Sequence, residues 1–261
     1  LSSDFPSVRF HRLEKNLAFA GANNRGWELI QREVPHVQFV TLLNMDTRTD
    51  PRWLPEVLDA FNAHPQAAAV QSKLRLYPET KKLNTAGNRS HFLGFGFMTG
   101  FNEIDTGQYD GLSELDFPSG AAVTLRVQTI RELGFLFDES LGMYLEDAEL
   151  GWRLRLTGHK VLAAPRSIVY HKYTPTAPTR YYYNLERNRW LLMLSYPRLF
   201  TLALLLPALL LMEVGQILFA LMQGLLGQRL RVYGFLLSPA ARRDIAARRA
   251  RLKAKIGRAH V

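Results

Sequence analysis

The chain has 261 residues, 47% of them hydrophobic and 21% charged, enough for one large domain or two small ones around a sizeable core. It contains no cysteine, which excludes disulfide scaffolds, cysteine-based zinc sites and thiol catalysis. The net charge of +10 is concentrated in the tail: from Arg229 onward there are ten Lys/Arg and one acidic residue, Asp244, against 23 basic and 22 acidic residues before it. A nearly neutral body argues against a nucleic-acid partner, and a basic tail beside a greasy segment points to an anionic membrane surface.

Taken in chain order, VRFHRL (8–13) predicts a short strand. NLAFAGANNRG (16–26) is rich in Gly and Asn and opens a helical stretch from Trp27 to Val34. VQFVTLL (37–43) is an unbroken apolar run with β-branched residues, the pattern of a central parallel strand buried on both faces. NMDTRTDP follows as a loop, in which Asp50-Pro51 reads as an N-cap with Pro at the first helical position. Trp53, Leu54, Val57, Leu58 and Phe61 then carry a helical period, and AAAVQSKLRLY (67–77) is the next strand. Residues 78–115 are rich in Gly, Asn and aromatics with weak periodicity, and predict long loops with short helices. A strand and a helix closed by Gly134 fill 119–137, a further helix ends at Gly158, and KVLAAPRSIVYH (160–171) supplies a strand. Strands alternating with helices indicate an α/β domain with a mostly parallel sheet, which binds ligands beyond the C-terminal ends of its strands.

Four stretches could carry chemistry. In LLNMDT, Asn44 and Asp46 are delivered into a loop by a strand. Asp46 could hold a divalent ion bridging two phosphates, or the pair could simply make a turn. In NLAFAGANNRG, Gly21 and Gly26 allow close backbone approach, and Asn23 and Asn24 offer amides to phosphate or sugar hydroxyls. In YLEDAELGWRL, Glu146 and Glu149 share a helix face and Asp147 is rotated from them by roughly 100°. The helix dipole alone favours acids in a first turn, but a carboxylate on a rigid element beside a cleft is also what a general base requires. His171 ends a strand, where a neutral imidazole could complete a metal shell begun by Asp46.

These stretches resemble, in order, the motifs of glycosyltransferase family 2, nucleotide-sugar-dependent enzymes of GT-A fold, and most nearly its bacterial rhamnosyltransferase-like branch. NLAFAGANNRG, LLNMDT, SGAAVTLR with ELGFLFDE, YLEDAELGWRLRLTGHKV and VYH, followed by YYYNLERNRWLLML, carry the likeness over roughly residues 8–195. The resemblance implies a GT-A catalytic domain over 1–178, lacking the first strands, and a helical membrane-associated segment with a basic tail over 179–261. It makes Asp147 the base that deprotonates an acceptor hydroxyl, with Glu146 beside it, in a single displacement with inversion. It assigns Asn16, Phe19, Gly21, Asn23, Asn24, Asn44 and Asp46 to the donor, and Ser119, Gly120 and Trp152 to the acceptor. Asp46 and His171 would hold Mn²⁺ or Mg²⁺, although Asn44 stands where the family's metal motif has its first Asp. The implied donor is a dTDP- or UDP-sugar and the implied acceptor a lipid-linked or polysaccharide hydroxyl in cell-envelope glycan synthesis. The strand and loop that hold the nucleotide base would lie upstream, so the chain as given is expected to transfer no sugar. The final six residues, IGRAHV (256–261), read as translated sequencing adapter and are expected to add nothing to the fold.

Leu199–Leu226 holds one formal charge, Glu213, and is long enough to cross a membrane. A single crossing would put the basic tail on the far side of the membrane from a body that uses cytosolic donors, against the positive-inside rule. The expectation is a helical hairpin bent at Pro207 or Glu213–Gly215, or a helix in the interface, on the cytoplasmic face of the bacterial inner membrane. The competing reading is a non-catalytic basic membrane-binding protein that has kept the fold.

Overall fold

The structure, a computed structural model, describes residues 5–111, 114–174 and 178–256. The elements run α1 (Ala18–Glu33), β1 (Phe39–Leu43), β2 (Thr47–Thr49), α2 (Trp53–Ala63), β3 (Ala67–Leu76), β4 (Leu83–Thr85), β5 (Asn88–Ser90), β6 (Gly96–Met98) and β7 (Ala122–Arg126). They continue with α3 (Val127–Leu133), α4 (Glu146–Leu156), β8 (Lys160–His171), α5 (Pro178–Ser195), α6 (Leu199–Met222), α7 (Leu226–Leu236) and α8 (Pro239–Ile256).

The main sheet has the order β1-β7-β3-β8-β2, with β4 beside β3. β3 and β8 pair in parallel from Ala67↔Lys160 to Leu76↔His171. β7 lies antiparallel to both β1 and β3, so β1, β3 and β8 share one direction, the parallel set indicated by the strand–helix order. β7 is reversed because the chain returns to the sheet after the long excursion of 78–115. That excursion forms three short strands, and its described residues contain no helix where short helices are expected. The core joins α1, α3 and α4 to the sheet through Trp27, Val40, Leu42, Leu125, Ile130, Phe137 and Leu150.

Three local expectations change. VRFHRL forms no strand. NLAFAGANNRG is itself most of α1, since packing of Ala20, Gly21 and Trp27 overrides the weak helix propensity of Gly and Asn. VQFVTLL yields an edge strand of the described sheet, with only Val40 and Leu42 buried.

The C-terminal helices also differ from a hairpin. α6 runs unbroken through Pro207 and Gly215, and the chain turns back at 223–225 into α7. Among the described residues α6 is the one helix long and apolar enough to cross a membrane. Its lone charge, Glu213, is ion-paired to Arg229 of α7, which also pairs with Glu186 of α5. Arg229 is fully buried, and Leu199, Phe200, Leu204, Leu211 and Met222 stay exposed. The tail is partly consumed inside the protein: Arg248 and Arg251 bind Asp138 at 2.9 and 2.6 Å, and Arg249 donates to the carbonyls of Leu194 and Pro197. The charge free to meet an anionic membrane is therefore smaller than the bulk count implies. Residues 257–261 of the expected adapter stretch lie outside the described residues.

Candidate active site

β1 ends at Leu43 and the chain turns at Asn44. Thr47 donates to the Asn44 carbonyl through its backbone N–H at 3.2 Å and its hydroxyl at 2.6 Å, which starts β2. β2 pairs with the end of β8, setting Thr47 opposite His171. Asp46 thus comes beside His171, with Oδ1 3.3 Å from Nε2. The N–H of Asn44 donates to the Ala121 carbonyl at 3.0 Å, which ties this turn to the 119–122 turn ahead of β7.

The second turn is held from below. The N–H of Ser119 donates to Oε1 of buried Gln71 at 2.7 Å. The N–H of Gly120 donates to Asp147 Oδ2 at 3.3 Å, and the N–H of Ala148 donates to Asp147 Oδ1 at 2.8 Å. A Cβ on Gly120 would stand 2.7 Å from Phe19 Cζ, so any side chain here would push the Phe19 ring or the turn aside.

Asp147 is half-buried at the start of α4. Burial pushes its carboxyl up to about 6, opposed by the bonds from Gly120 and Ala148. Glu146 is buried, with Oε2 unpartnered, and burial together with the Asp147 charge pushes it up to about 8. At neutral pH the pair is therefore one ionised Asp147 beside one protonated Glu146. Glu149 does more than begin the helix: it is fully buried, binds Arg153 at 2.8 Å and accepts from the Tyr196 hydroxyl.

The loop carrying the carboxylates is braced by residues assigned to the donor in the sequence. Asn24 pairs with both backbone groups of Phe137 at 2.9 Å, and Asn23 donates to the Phe19 carbonyl at 2.9 Å. Gly21 packs tightly on Leu17, and Asn16 accepts from the N–H of Ala18 at 2.8 Å. Phe19 stacks with Phe137, centroids 5.6 Å apart. These five residues hold α1 and the loop in place. A helix with one face against the body spends its amides on that body. Trp152 lies on another face of α4 from Asp147. Five residues along a helix is a rotation of roughly 140° from Asp147. Its indole donates to Ser90 Oγ at 2.9 Å and lines a groove of about 820 Å³ with Phe92, Arg155 and Met193.

Two positioning groups have no local sequence signal. Asn84 Oδ1 meets His171 Nδ1 at 2.8 Å. Buried Asn188, in α5, donates to the carbonyls of Leu141, Met143 and Tyr144 at 2.9, 3.0 and 2.7 Å. It thereby clamps a loop in which Tyr144 and Leu145 both have positive φ, 73° and 65°.

A divalent ion fits Asp46 and His171. Asn84 Oδ1 can only accept, so Nδ1 carries the imidazole proton. Burial lowers the His171 pKa, which keeps the ring neutral. The Nε2 lone pair then faces the Asp46 carboxylate, an arrangement that a cation between them would satisfy. Among the described residues no three His, Asp or Glu gather around one point, so the remaining ligands would come from phosphate oxygens or water.

The architecture is that of GT-A glycosyltransferases. Among solved structures, GalNAc-T7 crystallised with UDP, GalNAc and Mn²⁺ is similar, with a TM-score of 0.52 and 11% identity over 71% of this chain and 36% of that one. The chain thus spans little more than a third of that protein, and the likeness is one of fold. A search of curated protein sequences gives no match. The model of glycosyl transferase family group 2 matches residues 39–240, and the chain belongs to that family.

Proposed function

We propose that this protein is an inverting glycosyltransferase that moves a hexosyl or rhamnosyl group from a dTDP- or UDP-sugar to a lipid-linked or polysaccharide hydroxyl in bacterial cell-envelope synthesis. The observation that carries the reading is Asp147, ionisable near neutrality and aimed by the Gly120 N–H, on a turn that is tied through Ala121 to Asn44, two residues from the Asp46–His171 pair. Ionised Asp147 takes the proton of the acceptor hydroxyl as its oxygen attacks the anomeric carbon, and the bond to the diphosphate breaks with its electrons leaving on the diphosphate. One base suffices, because a single displacement needs no enzyme nucleophile. Protonated Glu146 keeps a second negative charge away from the base. Asp46 and His171 would hold Mn²⁺ or Mg²⁺, which neutralises charge on the leaving diphosphate. The GalNAc-T7 structure, with UDP and Mn²⁺, supports that chemistry.

The exposed apolar length of α6 supports attachment to the cytoplasmic face of the inner membrane, with Arg242, Arg243 and Lys253 toward anionic lipid. The test is nucleoside diphosphate release by the full-length protein from a panel of dTDP- and UDP-sugars with Mn²⁺ and a lipid-linked acceptor. Asp147→Asn is expected to lower turnover by roughly 10²- to 10⁴-fold while donor binding persists. Unchanged turnover in that variant would leave the non-catalytic reading standing.

A further inference from the structure

Three tyrosines stand between the two halves of the site without a role in the reaction described so far. Tyr144 lies two residues before Glu146, Tyr173 two residues after His171, and Tyr181 near the start of α5. The rings of Tyr144 and Tyr181 meet edge-on, with centroids 4.9 Å apart at 78°. Tyr173 lies 5.9 Å from the His171 ring and is met edge-on by Phe101 at 5.7 Å. Burial raises the phenols of Tyr173 and Tyr181, and the phenol of Tyr144 raises both further, so Tyr173 and Tyr181 remain protonated at neutral pH. Even so, Tyr173 and Tyr181 are 36% and 38% exposed.

Their placement follows from a closed circuit of contacts. Asp46 meets His171, His171 meets Tyr173, and Tyr173 is close enough to Tyr144 for the two phenols to interact through their charge. From Tyr144 the chain leads to Asp147, which binds Gly120, and Ala121 binds Asn44, two residues from Asp46. The tyrosines are the aromatic arc of this circuit. The left-handed backbone at Tyr144 and Leu145 is sterically unfavourable without Gly, and the Asn188 clamp maintains it.

We propose that Tyr144, Tyr173 and Tyr181 form the wall against which the pyranose ring of the transferred sugar lies, its C–H face on the aromatic rings and its hydroxyls beside the phenols. The inference rests on the glycosyl-transfer reading. In that reaction the sugar must sit between the leaving diphosphate, at Asp46 and His171, and the attacking oxygen, at Asp147. The aromatic arc spans that interval. Aromatic side chains accept an apolar face while giving up little conformational freedom, and Tyr adds a polar tip for hydroxyls.

The test separates sugar from nucleotide. In the full-length protein, Tyr173→Leu and Tyr181→Leu are expected to raise the Kd for the nucleotide sugar roughly fivefold to tenfold. The Kd for the matching nucleoside diphosphate, measured by calorimetry with Mn²⁺, stays unchanged. Tyr181→Phe keeps the ring and loses less than Tyr181→Leu, which also guards against a folding artefact. Equal weakening of both ligands, or of neither, overturns the wall. If the unaltered protein binds no nucleotide sugar and no nucleoside diphosphate, the transferase reading falls and takes the wall with it. Binding of both with the tyrosine variants unchanged removes only the wall.

Discussion

The backbone N–H of Gly120 donates to Asp147 Oδ2 at 3.3 Å, while the Cα of the same glycine lies against the Phe19 ring, where a Cβ would come within 2.7 Å of Cζ. One residue therefore both aims the carboxylate and admits the aromatic beneath it. Gly120→Ala forces the turn away from Phe19. The expected result is a folded protein with turnover reduced by roughly tenfold or more, since oriented groups lose rate steeply with small displacements. Phe19→Leu added to Gly120→Ala relieves the contact and should restore part of the rate. Loss of rate with no recovery in the double variant would show that the turn, and not the clash, is at fault.

The same bond sets a pH dependence. Asp147 acts as a base only when ionised, and burial holds it near 6. The rate should therefore rise with pH through an apparent pKa of about 6 and level off above it. Loss of the Gly120 bond removes an interaction that lowers this pKa, so Gly120→Ala moves the rising limb to higher pH. Glu146→Gln leaves the limb in place, because protonated Glu146 puts no charge on Asp147. A profile flat from pH 5 to 8 would remove Asp147 from the base role.

The strands β3 and β8, and α3 with its Gly134 stop, are legible because their local pattern and their tertiary place agree. Gly134 adopts φ 88° at the end of α3, as a helix-ending Gly does. The GANN stretch reads only as the lead-in to a helix from Trp27 because Gly and Asn are poor helix formers, whereas α1 already starts at Ala18, held by Trp27 in the core and by Asn24 on Phe137. The alternation in VRFHRL is the pattern of a strand, but a strand also needs a ladder, and none forms there. At the site, Asp46, Asp147 and His171 are legible from local motifs. Asn188 is not, since its three acceptors lie 44 to 47 residues away and leave no spacing to read. Proximity in sequence to Asp147 does not put Trp152 on the same helix face.

Glu213 illustrates the same limit, since a single acid in an apolar run gives no hint of its partner. Arg229 is fully buried between Glu213 and Glu186, beside Arg189. Arg229→Met strips two carboxylates of a buried partner and is expected to destabilise the protein by about 3–5 kcal/mol. Glu213→Leu combined with Arg229→Met removes one stranded charge as well and should recover a measurable part. Denaturation of the single and double variants in detergent gives the coupling. Additive losses would mean that Glu213 and Arg229 do not interact in the folded protein.

Glu146 offers a test of stability that is independent of any assay. Its carboxyl is raised to about 8 in the folded protein from an ordinary value near 4.5, with burial as the first cause and the Asp147 charge as the second. A raised carboxyl pKa means that folding favours the protonated form. The stabilisation is complete below the unfolded value and is lost as pH climbs through the folded one. Between pH 5 and pH 9 the protein should therefore lose stability as Glu146 is forced to ionise in a site where Oε2 has no partner. Glu146→Gln carries no charge to bury, so it should lie close to the unaltered protein at pH 5 and exceed it at pH 9 by about 4 kcal/mol. Denaturant midpoints taken at both values measure the difference. Parallel pH dependence in the two proteins would place Glu146 in water, ionised throughout, and would remove the argument that a protonated neighbour shields Asp147.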